Sequence, residues 1–417
     1  MYRAGFGGAI TRFRQAVFWG VLAACAVPSG ALAGPGDGIR LGEVVVHPSV
    51  QTEIGYQSNV HLLAHPGETD SPHDWWLRIV PQVKAEKNGG RARFALHALY
   101  DWRKYAYNTE LDSFSDFEVG AAVNVNEERP LSLALENRTR AQSRPSELEL
   151  YGSHHRLSNT ARVSTMYKPG TALEVKPSAF WYYDKFTSSG TDRVFAEKHT
   201  TGVAADARWA FLSRTVVAVT GEGGRVRYTE SIPLPLAGRD VNTGSYWWHG
   251  EGGLVGQVRP KVNIALKVGY GQAVYDDGES LNDVRGLTAL AKVEWIPRAT
   301  NHVTFAYDRD FRDVYFTNFR INDRVSASYR HLLAGVWLGE ATGAFAWQTY
   351  SEPFERRDEV ARADLSMRRV LREWADVGLS YGFEQRWSSE STVAYPSNDP
   401  ESDYITHRAM LTGNIQW

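Results

Sequence analysis

The chain has 417 residues, with 46 basic and 48 acidic side chains and a formal net charge of −2, which is not the basic balance of a nucleic-acid binder. A single cysteine excludes a disulfide-stapled scaffold. Fourteen Trp, 20 Tyr and 37 Gly beside only 4 Met are an odd mix for a soluble enzyme and suit interfacial aromatic girdles.

At the front, Arg3, Arg12 and Arg14 precede an apolar stretch from Ala16 to Val27, and Ala31-Leu32-Ala33 is a small-x-small cleavage site. Residues 1–33 therefore read as a secretory signal peptide, too short to span a bilayer as a stable helix. Leu22-Ala23-Ala24-Cys25 also fits a lipoprotein processing site. Cleavage after Ala33 removes the only cysteine and three arginines but no acid, leaving a net charge of −5. Beyond it the longest apolar-plus-glycine run is Leu332 to Gly339, so transmembrane helices are excluded.

Residues 34–43 form a short N-terminal segment, and residues 44–417 form one strand-rich domain. Eighteen strands are predicted near 44–57, 75–87, 91–104, 114–126, 131–143, 152–168, 171–186, 192–211, 215–228, 242–258, 262–275, 284–296, 302–311, 317–331, 335–350, 357–371, 374–387 and 403–417. Most reach the ~9–11 residues that cross a bilayer at a tilt. Their period is two: Ala92, Phe94, Leu96, Ala98, Tyr100 and Trp102 share a face opposite Arg91, Arg93, His97, Asp101 and Arg103. The last strand puts Ala409, Leu411, Gly413, Ile415 and Trp417 on one face and ends on the aromatic ring. Trp417, Ile415 and Leu411 are the expected membrane-insertion signal.

Short links alternate with longer loops. Asn88-Gly89-Gly90 is a tight hairpin, and Pro169-Gly170, Leu212–Arg214, Leu332–Ala334 and Arg372-Glu373 are comparable. Eight short turns and nine longer loops fit an all-β, eighteen-stranded antiparallel barrel of the outer-membrane type, with both termini periplasmic and long loops outside. In lipid every backbone polar group must be paired, and closure alone removes the sheet edges. A lumen of eighteen strands is too wide for side chains to fill.

On these registers the inner wall carries Arg93, Arg208, Arg324, Arg362 and Arg408 among a nearly balanced set of both signs. Cross-strand pairing accounts for most of them, and these five arginines are candidate contacts for a polar cargo. In the aromatic pairs, Trp76, Tyr182 and Trp247 take the inward side and are candidates for stacking on a sugar ring. No loop exceeds about seventeen residues by these boundaries, so a pore without a loop-built constriction is expected.

Chemistry finds little support. His154 and His155 are adjacent on a strand and point to opposite faces, which prevents their acting as a pair. Glu68, Asp70, His73 and Asp74 in the first loop, and Asp399, Glu401 and Asp403 in the last, lack EF-hand spacing and read as solvated loop residues. No catalytic residue, cofactor or metal is expected.

Strand 1 carries His47-Pro48-Ser49 followed by Gly55-Tyr56-Gln57-Ser58-Asn59-Val60. This resembles the first strand of outer-membrane β-barrel porins found with exopolysaccharide synthesis and export genes, with Gln57 where that family has an acidic residue. The resemblance implies an exit for polysaccharide made by a Wzx/Wzy-type pathway, working with a periplasmic polysaccharide co-export protein. A passive diffusion porin for small solutes and a surface adhesion or structural barrel are the alternatives. Outer-membrane lipid, lipopolysaccharide and the barrel-assembly machinery are further expected partners, and nucleic acid is not.

Overall fold

A computed structural model describes residues 37–62, 72–143, 155–187, 197–229, 232–234, 239–241, 244–276, 283–313, 319–350, 356–389 and 403–417. The expected signal peptide, His154, Glu68, Asp70, Asp399 and Glu401 lie outside the described residues.

Eighteen long strands follow one another: β1 Val44–Gln57, β2 Asp74–Asn88, β3 Ala92–Tyr105, β4 Ser113–Val125, β5 Leu131–Gln142, β6 His155–Tyr167, β7 Leu173–Thr187, β8 Lys198–Leu212, β9 Thr215–Tyr228, β10 Ser245–Arg259, β11 Val262–Tyr275, β12 Val284–Arg298, β13 Asn301–Asp313, β14 Phe319–Leu333, β15 Trp337–Tyr350, β16 Arg357–Arg372, β17 Ala375–Ser388 and β18 Tyr404–Gln416. Each pairs antiparallel with the next, and β1 pairs with β18 from Ser49↔Gln416 to Gln57↔Arg408. The sheet is thus a closed barrel with no free edge between its long strands. The Trp417 N–H donates to Pro48 O at 3.0 Å and completes the seam.

Closure inverts the usual burial pattern. Phe94, Leu96, Val203, Leu266, Val268, Leu287, Phe305, Leu365, Leu379 and Leu411 are exposed on the outer wall, where lipid replaces water as the apolar medium. Trp75, Trp181, Trp209, Trp248, Trp295 and Trp387 are also exposed there, as the girdles require. The alternate residues of the same strands face inward.

The turns show the expected rhythm, with one shift. At Leu333-Ala334-Gly335-Val336 both central residues have positive φ, 51° and 73°, and Val336 N–H donates to Leu333 O at 3.3 Å. That is the primed two-residue geometry whose twist matches the flanking strands, so the turn sits one residue later than the sequence places it. Both ends of the described chain lie at the short-turn end. There Ile39–Leu41 pairs onto Val44–Val46 as a short strand within the N-terminal segment expected at 34–43. Beside it Lys87 lies 2.8 Å from Glu43 and holds that carboxyl below its usual range.

The long loops, on which the expectation of a pore without a loop-built constriction rests, lie largely outside the described residues. Residues 106–112 are short but fold onto the inner face of β1–β3, where Leu111 packs with Trp76, Tyr105, Val60 and Met410. Asp74, fully buried, holds them there. Its carboxylate accepts from the backbone N–H groups of Trp75 at 2.7 Å, Ala106 at 3.1 Å and Asn108 at 2.7 Å, and from Asn108 Nδ2 at 2.9 Å. Asp74 is therefore a structural clasp and not a solvated loop residue.

Candidate functional site: the inner wall

The inward positions form three kinds of surface. The first is a set of carboxylates caged by basic side chains. Glu53 accepts from Trp76 Nε1 at 2.7 Å and from Arg78 at 3.2 Å, and Arg78 also donates two bonds to Asp101, at 2.8 and 2.7 Å. Glu118 meets His97 at 3.0 Å and Arg138 at 2.5 Å, with Arg140 at 3.8 Å. Asp358, fully buried, takes Arg356 at 2.7 Å and is also bonded by Arg386 and Ser388. A buried charge is tolerated only with such partners.

The second surface is wet. Arg362 pairs with Glu384 at 2.7 Å and Arg330 with Glu340 at 3.5 Å, and the side chains of Arg330 and Arg362 remain 56% and 44% exposed. Arg93 pairs with Glu86 at 2.7 Å, and Arg408 lies 4.0 Å from Asp364. Arg208 faces Glu174 and Arg324 faces Asp308 in the strand register. All five arginines singled out in the sequence face inward. They are spread around the barrel and share no single site.

The third surface is aromatic. Tyr182 stacks on Phe180 at 4.9 Å, Phe180 on Trp247 at 6.4 Å, and Trp247 on His249 at 6.0 Å. Arg162 lies 5.5 Å over the Phe180 ring and donates to Tyr182 Oη at 3.1 Å. Tyr182 and Trp247 are thereby brought together through Phe180. Trp76 is not part of this row: it is 5% exposed, and its indole is fixed by Glu53 and covered by the inward-folded segment.

The sequence reading missed Arg78, Arg138, Arg140, Phe180 and His249. Period two was the available signal, because Phe180 sits two residues before Tyr182 and Arg138 and Arg140 follow Glu136 at the same interval. Among the described residues no group of three or more His, Cys, Asp or Glu side chains is placed to hold a metal ion.

A closed barrel with lipid-facing leucines outside and a charged, hydrated wall inside is the architecture of an outer-membrane pore, and one family matches it in sequence. The family described as "Putative beta-barrel porin 2" matches residues 34–401. The chain belongs to that family. It is an outer-membrane β-barrel porin. No curated protein matches it in sequence. Among solved structures, Pseudomonas aeruginosa OpdO is 12% identical with a TM-score of 0.50, covering 89% of this chain and 98% of that one. Pseudomonas aeruginosa OpdK with vanillate is 10% identical with a TM-score of 0.49, covering 89% and 99%. Pseudomonas aeruginosa OprD is 10% identical with a TM-score of 0.47, covering 93% and 99%. At such identity the likeness to OpdO concerns the fold alone.

Proposed function

We propose that this porin is a passive, water-filled channel for small polar solutes and performs no chemistry. The supporting observation is the exposure of paired charges on the inner wall, with Arg330 and Arg362 about half open to solvent beside Glu340 and Glu384. A wall whose opposite charges compensate one another exerts little net field on a passing ion. Arg93, Arg208, Arg324, Arg362 and Arg408 would touch a solute as it passes. The purified barrel in planar bilayers should give stepwise, ohmic conductance with weak ion selectivity. A folded barrel that inserts and conducts nothing would overturn this.

A second reading is an exit conduit for secreted polysaccharide, working with a periplasmic co-export protein. The aromatic row and the His47-Pro48-Ser49 to Val60 stretch support it. In either reading the long loops face outward, both termini are periplasmic, lipopolysaccharide surrounds the outer wall, and the assembly machinery reads Leu411, Ile415 and Trp417. Leu411 and Ile415 lie exposed on the outer wall. A clean deletion, with polymer measured separately at the surface and in the periplasm, separates the two. Loss of surface polymer supports export, and unchanged surface polymer removes that reading.

A further inference from the structure

Polar side chains are the expected lining of a wet lumen, which makes the aromatic row at the long-loop end unusual. Its geometry depends on two glycines. In the strand register Phe180 faces Gly202, Gly202 faces Gly224, and Gly224 faces Trp247. Three strand spacings separate β7 from β10, about 14 Å. The rings of Phe180 and Trp247 nonetheless come within 6.4 Å because nothing larger than hydrogen stands between them on that face. A Cβ at Gly202 would lie 2.4 Å from Phe180 Cζ.

Polar groups edge the rings. Arg162 bonds the Tyr182 hydroxyl, and Glu222 Oε1 is 3.4 Å from His249 Nδ1. One cation and one carboxylate flank the row, so it favours neither an anion nor a cation. A purely apolar ligand would cover the rings but use neither Arg162 nor Glu222, which would keep only Tyr182 and His249 as partners. The arrangement matches a pyranose: an apolar C–H face to lie on a ring, and hydroxyls at the rim to meet a planar guanidinium, a carboxylate and a phenol.

We propose that Tyr182, Trp247 and His249, packed around the buried Phe180 and with Arg162 and Glu222 at the edges, form a binding track for neutral pyranose units on the inner wall. This rests on the porin reading but not on the direction of transport.

The test uses the full-length barrel and maltohexaose as the probe. Millimolar maltohexaose should interrupt the ion current reversibly and change the intrinsic tryptophan fluorescence of the protein in detergent. Trp247→Ala and Tyr182→Ala should each weaken sugar binding about tenfold. Trp247→Phe should keep most of it, and the outward Trp248→Ala should leave it unchanged. An unboiled gel shift reports whether each variant is folded. An open wild-type channel that ignores maltohexaose in both readouts overturns the track while the porin reading stands. Wild-type affinity in folded Trp247→Ala and Tyr182→Ala also overturns it. Block by benzoate without block by maltohexaose overturns it in favour of a planar aromatic solute. A barrel without conductance sinks the porin reading instead, and the fluorescence titration then decides the track by itself.

Discussion

Gly55 lies directly beneath the indole of Trp76: a Cβ at position 55 would stand 2.1 Å from Trp76 Cζ2. The two residues face each other across β1 and β2, beside the strand pair that closes the barrel. The missing side chain lets the ring lie against the wall and reach Glu53. Gly55→Ala should therefore cost about 1–3 kcal/mol through overpacking, seen as a lower urea midpoint of the folded band on unboiled gels. An unchanged midpoint would show that the indole moves freely.

Trp76→Phe removes the donor to a buried carboxylate without emptying the site. Glu53 is 6% exposed and would keep only Arg78. Loss of about 1–3 kcal/mol is expected, and the double variant Trp76→Phe with Glu53→Gln should recover part of it. No recovery would place the cost in packing alone.

Ala334 holds φ at +51° in the β14–β15 turn, a region unfavourable for an L-residue by about 1–2 kcal/mol. Ala334→Asn should stabilise the barrel by about 0.5–1 kcal/mol, since asparagine tolerates this conformation in primed turns. A lower unfolding midpoint would contradict the turn assignment.

The two walls should respond oppositely to charge. Val268 is 63% exposed on the outer face at mid-strand, and Val268→Lys should cost about 2–4 kcal/mol near the bilayer midplane. Its inward neighbour Lys267 should accept alanine with little change. Equal effects at both positions would argue against the assigned faces.

Arg362→Glu places a carboxylate beside Glu384, where a 2.7 Å ion pair now stands on the inner wall. The reversal potential in a salt gradient should move toward cation preference, with the folded band retained. No movement would mean that solutes pass elsewhere in the lumen.

Much of this was legible in the chain. The expected bounds of β1, β9 and β11 coincide with the observed strands, because each strand has one face in lipid and period two cannot be disguised there. The same alternation assigned Arg362, Tyr182 and Trp247 to the inside. It could not tell a half-exposed ring from a covered one: Trp76 and Trp247 read alike in sequence, yet Trp76 is clasped by Glu53 and covered by residues 106–112. Loop length does not show where a link lies either: the seven residues 106–112 fold onto the inner wall because Asp74 gathers their N–H groups.

What the sequence determined by itself was the class of object: an even-numbered barrel, its inner and outer faces, and its aromatic rims. These follow from local periodicity and from the rule that lipid leaves no backbone group unpaired. Which carboxylate each arginine meets, and that Phe180 touches Trp247 across two intervening glycine positions, was decided only by strand register and closure. Phe180 and Trp247 stand 67 positions apart in the chain, and no local pattern encodes a distance that only the curved sheet creates.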